Sequence, residues 1–415
     1  MRRSFLFLQG PCTPFFPRLA DRLRAGGHVV HRINFCAGDS LYWGTRPSWR
    51  YAGFIDGLGD YLIEKYRQHG ITDQILFGDR RPVHRSAVVL GQTYGVRTHV
   101  FEEGYFRPWW VTLEREGVNG HSLLPRDPDW FREIGAMLSE PEKPRQFSAP
   151  FVKRAAHDVI YHCAGSTNVL FFPRYRTHAG ITAPVEYFGY LRRFGRLRFI
   201  RQRECRRARE IMQTAGPYYV LPLQLNTDAQ IRDHSMFDDM GQVIDYVLQS
   251  FARHAPTNSR IVIKNHPLDM GLMNYARIID ECERRFTLAG RIKYLEDGDL
   301  LALVGKARGV ITVNSTVGMI ALEQGVPTIT LSDPIYNLPG LTCQLPLDDF
   351  WNADIRPDGV FFNYFRRCVL HATQINGGFY SCSGIRLATE SSARILSAEC
   401  SPLERLIGHA DNSAS

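Results

Sequence analysis

No stretch of this 415-residue chain approaches the roughly 18 consecutive apolar residues that a membrane-spanning helix needs. The apolar run Phe5–Leu8 is too short for a signal sequence and is broken by Gln9-Gly10-Pro11, so it reads as a buried strand. Any membrane contact is therefore expected to be peripheral. The metal and redox signatures C-x-x-C and H-E-x-x-H are missing. Nine cysteines are scattered without metal-finger spacing, which fits reduced thiols in a cytoplasmic protein and argues against a disulfide scaffold. The dinucleotide fingerprint G-x-G-x-x-G is missing as well. D-x-D occurs at Asp127-Pro128-Asp129 and Asp297-Gly298-Asp299, but in turn-forming contexts, so a metal is not implied. No nucleic-acid-binding motif accompanies the basic residues, and nucleic acid is not an expected partner.

What is present is an ordinary globular composition, 44% hydrophobic and 22% charged, with a net charge of +8 and a pI near 9.0. The cationic excess favours anionic partners. Strands and helices alternate from the start: strand at Phe5–Leu8, helix at Pro17–Ala25, strand at His28–Ile33, then strands at Gln74–Gly78 and Thr98–Phe101 around a helix at Pro82–Thr93. A second βα series begins at Tyr218. Its strands are Tyr218–Leu223, Ile261–Ile263, Ile292–Leu295, Gly309–Val313 and Thr328–Leu331, and its helices are Met236–His254, Leu272–Phe286, Leu300–Lys306 and Val317–Gln324. The class is α/β: two Rossmann-like domains facing a cleft, the GT-B-like layout of many glycosyltransferases and of related epimerases. The expected boundaries are 1–212 for the first domain, 213–388 for the second and 389–415 for a terminal helix and tail. Residues 139–150 read as an exposed link. Residues 191–209 hold nine arginines against the single acid Glu204, predicting a helix with a basic face that suits solvent or an anionic membrane surface.

Four polar constellations follow strands, where open α/β sheets bind ligands. Lys264-Asn265-His266-Pro267 brings a cation and an imidazole to the end of Ile261–Ile263, as an anionic ligand would require. Asn314-Ser315-Thr316-Val317-Gly318 joins a strand to a helix, with Ser315 or Thr316 as cap and Gly318 allowing close approach; its edge is expected to neighbour that of His266. Glu323, two turns on, suits a ribose or plain solvent. Gln224-Leu225-Asn226-Thr227-Asp228 offers Asp228 as a nucleophile or as a helix cap. Glu102-Glu103-Gly104 places two carboxylates before Arg107 and an aromatic cluster. Only one of the pair can face a cleft in an extended segment, and a carboxyl against aromatic surface is a candidate acid or base. Arg107 could clamp a carboxylate or phosphate.

Phe-Leu-Gln-Gly-Pro at 7–11, Asn34-Phe35 with Gly38-Asp39, Phe-Glu-Glu-Gly-Tyr-x-Arg-Pro at 101–108, Leu-Pro-Arg-Asp-Pro at 124–128, Gln-x-x-x-Asp at 224–228, Lys-x-His-Pro at 264–267 and Asn-Ser-Thr-x-Gly at 314–318 together resemble the β-Kdo transferases of capsular polysaccharide synthesis in Gram-negative bacteria, proteins also described as capsule export proteins. The resemblance implies a CMP-Kdo donor (Kdo being 3-deoxy-D-manno-octulosonic acid), a phosphatidylglycerol-type lipid acceptor, and retention of configuration without a cofactor or metal. It implies that His266, with Lys264 near it, and Ser315 and Thr316 hold the CMP phosphate, with Asn314 beside them. Glu323 would face the ribose, Gln224 and Arg107 would contact substrate, and Asp228 would be the nucleophile. Relatives that extend the linker carry Glu-Asp-Gly where this chain has Glu102-Glu103-Gly104. Either carboxylate therefore stands as the acid/base, with Glu102 preferred. The implied location is the cytoplasmic face of the inner membrane, peripheral, among other capsule assembly proteins.

Overall fold

The structure is a computed structural model that describes residues 2–176, 183–226 and 235–413. Two compact units emerge. The first comprises residues 1–125, 133–178 and 366–415, the second residues 126–132 and 179–365.

The first unit is built on a seven-stranded sheet. Its strands are β1 (Ser4–Phe7), β2 (Val29–Asn34), β3 (Trp49–Arg50), β4 (Asp73–Phe77), β5 (Arg97–Glu103), β6 (Trp110–Arg115) and, after the chain has built the second unit, β12 (Gln374–Asn376). Their order is β12-β6-β5-β4-β1-β2-β3. β1 pairs in parallel with both β2 and β4, so the chain reverses its direction of growth across β1, whereas β6 and β12 run antiparallel. β1 is buried at every position because helices cover both faces, which is why it reads as an unbroken apolar run. On one face Phe5, Phe7 and Phe101 pack with Phe15, Phe16 and Leu19. On the other Leu6, Leu8 and Val100 pack with Leu58, Leu62 and Val83.

The second unit has a five-stranded, wholly parallel sheet: β7 (Tyr218–Pro222), β8 (Arg260–Lys264), β9 (Ile292–Leu295), β10 (Gly309–Thr312) and β11 (Thr328–Thr330), in the order β11-β10-β7-β8-β9. Here the reversal falls between β7 and β10. One face is packed by the amphipathic helix Met240–His254, through Val243, Ile244, Val247 and Leu248. The other is packed by Leu303, Val304, Ala321 and the end of a 31-residue helix, Ala183–Gln213.

Both expected βα series are present, with shifted ends. Two helices start later than predicted, at Met240 and Tyr275, because Asp239 and Asn274 cap them: Asp239 accepts from the amides of Gly241 and Gln242 at 2.7 and 3.0 Å, and Asn274 from that of Arg277 at 3.1 Å. The expected boundaries at 212 and 388 are drawn differently. The long basic helix groups with the second unit, and the chain rejoins the first at Arg366. The cause is physical: β12 extends the first sheet, pairing Ile375 with Val111, and helix Cys382–Ser397 buries Ile385, Ala388 and Leu396 against it. The C-terminal region thus completes the first core.

Candidate functional site

In the second unit, polar side chains gather where β7, β8 and β10 end. Gln224 and Asn314 form a clasp across the β7/β10 reversal. The Gln224 amide donates to Asn314 Oδ1 at 2.9 Å, and the Asn314 backbone N–H donates to Gln224 Oε1 at 3.3 Å. This is the crevice at which doubly wound sheets bind ligands. Ser315 follows, its hydroxyl accepting from the Val317 amide at 3.2 Å, while Thr316 occupies the cap position without a capping bond. The helix they start, Val317–Glu323, has seven residues and ends at the exposed Glu323.

Packing alone requires a glycine at 318. A Cβ there would lie 2.7 Å from the Tyr336 ring, which covers it, and the Tyr336 hydroxyl donates to the Ser315 carbonyl at 2.5 Å. Tyr336 is 1% exposed and holds the Asn314–Gly318 loop in place. The edges of His266 and Asn314 share one sheet end but are not neighbours, since β7 lies between β8 and β10.

The two halves of the Lys264/His266 pair have separate fates. Strand alternation puts Lys264 on the same face as Val262, toward the packed side of the sheet. The residue is 3% exposed and its ammonium donates to the Asn265 carbonyl at 2.9 Å; burial lowers its pKa from the ordinary lysine value despite Asp297 nearby. The expected cation at the edge is therefore a buried lysine whose ammonium is engaged with the backbone. His266 is half-buried. Its Nδ1 accepts from the Leu268 amide at 3.1 Å, so the ring proton sits on Nε2, a hydrogen-bond donor suited to a phosphate oxygen.

The loop carrying His266 is pinned by a residue the charge run concealed. Arg193, 4% exposed, donates to the carbonyls of His266 (3.0 Å), Pro267 (3.1 Å), Asp269 (2.5 Å) and Glu296 (3.5 Å). Gly189, one turn earlier, lets the helix sit against Met270, whose carbonyl would lie 2.7 Å from a Cβ at that position. The expected basic face is therefore thinner than nine arginines suggest. Arg193 points inward, while Arg196, Arg201 and Arg207 pair with Glu296, Asp297 and Glu204. Arg198, Arg203 and Arg206 remain exposed beside Phe199, which is 85% exposed. Asp228 lies outside the described residues.

The first unit gathers different chemistry at its own reversal. Glu102 and Glu103 take opposite faces of β5. The Glu102 carboxylate accepts from the Glu103 amide at 3.0 Å and lies near Gly78, at the end of β4. Glu103 accepts from the Tyr380 hydroxyl at 3.2 Å and stands 3.8 Å from Arg154, whose guanidinium lies over the Tyr380 ring. Burial, with Glu103 adding to it, pushes the Tyr380 hydroxyl well above its ordinary value. Arg107 is exposed. Sequence reasoning missed Asp158, on helix Phe151–Gly165. It is hydrogen-bonded by the Cys12 thiol after β1, and burial raises both groups above their ordinary values, strongly so for Cys12. Gln9, named only within a motif, faces Asp39, Tyr161 and Tyr175 at 3.1 to 3.4 Å, and Asp39 is paired with Arg32 at 3.2 Å. Arg81 reaches the Gly10 carbonyl at 3.0 Å.

The D-x-D pairs behave as turn residues. Asp127 accepts from the Asp129 amide, and Asp299 caps helix Leu300–Gly305. Among the described residues no three His, Cys, Asp or Glu side chains gather as metal ligands. No helix among them is long and apolar enough to cross a membrane.

Fold and site define a two-unit, doubly wound α/β protein with one neutral polar edge and one acidic, hydroxyl-rich edge. The family described as "Capsule polysaccharide biosynthesis protein" matches residues 72–380. "Capsule polysaccharide export protein KpsS" of Escherichia coli is 34% identical over 379 residues, covering 91% of this chain and 97% of the relative. "Capsule polysaccharide modification protein LipB" of Neisseria meningitidis serogroup B is 35% identical over 388 residues, covering 91% and 92%. The chain belongs to the capsule polysaccharide biosynthesis family. Among solved structures it is similar to the "beta Kdo 2,7 transferase" of Thermosulfurimonas dismutans KpsC (TM-score 0.45, 13% identity, 94% of this chain and 98% of that one). It is also similar to a putative UDP-N-acetylglucosamine 2-epimerase of Listeria monocytogenes (TM-score 0.29, 12% identity, 90% and 96%).

Proposed function

We propose that this protein is a retaining, metal-independent glycosyltransferase that moves Kdo from CMP-Kdo to a phosphatidylglycerol-type lipid, building the linker of a capsular polysaccharide. Family membership supports the pathway. The observation that supports the reading is the second unit's sheet end, where His266 follows β8 while the Gln224–Asn314 clasp and the Ser315 turn follow β7 and β10. Imidazole, amide and hydroxyl donors at such an edge would stabilise a departing CMP phosphate without a metal.

In the proposed reaction the Asp228 carboxylate, assigned by the motif resemblance, attacks the anomeric carbon. The bond to CMP breaks, and CMP leaves with the electron pair. The acceptor hydroxyl then displaces Asp228 from the opposite side while its proton passes to Glu102 or Glu103, giving net retention. Thr316 and Glu323 would complete the nucleotide contacts, and Arg107 would meet the acceptor or the sugar carboxylate. The exposed Arg198, Arg203 and Arg206, with Phe199, suit a cytoplasmic enzyme held against the anionic inner membrane, in company with other capsule assembly proteins.

Mass analysis of the product formed from CMP-Kdo and a synthetic phosphatidylglycerol tests this. A lipid heavier by Kdo, lost in Asp228→Ala, is expected; no transfer by the intact chain refutes it. A second reading, a non-catalytic role in capsule export or assembly, is favoured by the description of the Escherichia coli relative. It is separated by CMP release, which a binder does not produce. Thermal-shift titration with CMP, UMP, UDP and GDP distinguishes the donor nucleotide.

A further inference from the structure

Helix Phe151–Gly165 of the first unit exposes a face without acidic residues: Phe151, Val152, Ala156, Val159, Ile160 and Cys163, with Lys153 at its start. The face continues into a single turn of helix, Asn168–Phe171, that buries nothing. Val169 and Leu170 are 78% and 77% exposed, and Phe171 50%. Successive residues of a helix point about 100° apart, so three exposed in a row make a projecting knuckle. A flat protein face would cover one side of such a knuckle; a fluid apolar phase covers it all.

The knuckle is held firmly. Asn168 accepts from the Ala37 amide at 2.7 Å. Phe172 is buried, with Arg50 over its ring, and the Tyr175 hydroxyl accepts from Gln9 at 3.1 Å. Exposed Arg174 and Arg176 follow it, with Arg174 lying over Phe54. The one acid between residues 151 and 176, Asp158, faces inward to Cys12. An apolar tip followed by cations, in a segment whose one acid faces inward, matches the interface of an anionic bilayer.

We propose that Val169, Leu170 and Phe171, with the outward face of the preceding helix, insert into an anionic lipid bilayer and so bring the Gln9 end of the first sheet to the membrane. The insertion deepens the proposed use of a lipid acceptor but does not depend on catalysis. It is also separate from the basic helix, because it supplies apolar contact where that helix supplies charge.

The test uses the full chain carrying Leu170→Trp, mixed with vesicles of phosphatidylglycerol and phosphatidylcholine. A blue shift of the emission and quenching by brominated lipid chains are expected. Val169→Ser with Leu170→Ser and Phe171→Ser should weaken partitioning at least about tenfold, with the loss persisting at about 0.5 M salt, where charge attraction is screened. Its thermal unfolding should match the wild type, because none of the three side chains is buried. No blue shift, or undiminished partitioning of the triple variant, overturns the proposal. So does a wild-type dimer that the triple variant converts to monomer, which would assign the face to a second copy. Vesicle binding needs no donor, so this outcome is independent of whether Kdo transfer is observed.

Discussion

The carboxyl edges of the two sheets occupy the same place in the same kind of topology, yet are furnished oppositely. At the second unit's edge stand an amide clasp, a serine turn and an imidazole, and the side chains of Lys264 and Arg193 are buried against backbone carbonyls. At the first unit's edge stand Glu102, Glu103, Asp158, Cys12 and Tyr380, and burial pushes the last three toward their protonated forms. Under the proposed function the second unit's edge would receive an anion and the first unit's edge would handle protons. Equal folds therefore do not imply equal chemistry: function divides by the residues set at the end of each strand.

The largest effect that would sharpen this division is on turnover. Glu103→Gln or Glu102→Gln, whichever is the acid/base, should lower kcat by about 10² to 10⁴-fold and leave CMP affinity unchanged. If both variants keep full kcat, the first edge is not the proton-handling one. Next is Arg193→Ala. It strips four carbonyls of a buried partner and should cost roughly 2–4 kcal/mol in denaturant unfolding. It should also raise the KM for the donor, with Arg193→Lys restoring part of that loss. An unchanged KM in a folded Arg193→Ala would separate this residue from the His266 loop. Tyr336→Phe removes one hydroxyl bond to the Ser315 carbonyl and should cost about 1 kcal/mol, read in the same unfolding experiment.

The smallest expected effect contrasts activity with stability. Burial raises the Asp158 carboxyl, so the folded chain retains a proton that the unfolded chain has released. Stability is then lost as pH rises from the unfolded Asp value, about 3.9, through the raised folded value. Asp158→Asn carries no such cost. It should melt above the wild type at about pH 8, the difference closing toward about pH 4. A variant that melts lower at both pH values would show that Asp158 is a structural carboxylate.

Much of the fold is legible in the chain. Apolar runs and their breakers locate the strands of both βα series because buried parallel strands leave that mark. The motifs locate Gln224, His266, Asn314 and the Glu102–Glu103 turn because each lies at or directly after a strand end. Four features are hidden. Arg193 looks like its eight neighbours, and only Gly189 one turn earlier hints at a close-packed face. Asp158 and Tyr380 are distant in sequence from the strands they serve, and β12 is too short to show a pattern. Lys264 departs from expectation because its period-2 position, shared with Val262, sends it to the packed side. That parity is readable in the sequence, but a Lys two residues before a His suggests a shared anion site more strongly than it suggests burial.

The division between the edges is tested most directly by titrating CMP calorimetrically into the wild type, His266→Ala and Glu103→Gln. Binding weakened roughly tenfold or more in His266→Ala and retained in Glu103→Gln is the expected pair. CMP binding that survives His266→Ala but is lost in Glu103→Gln would contradict the assignment of the two edges.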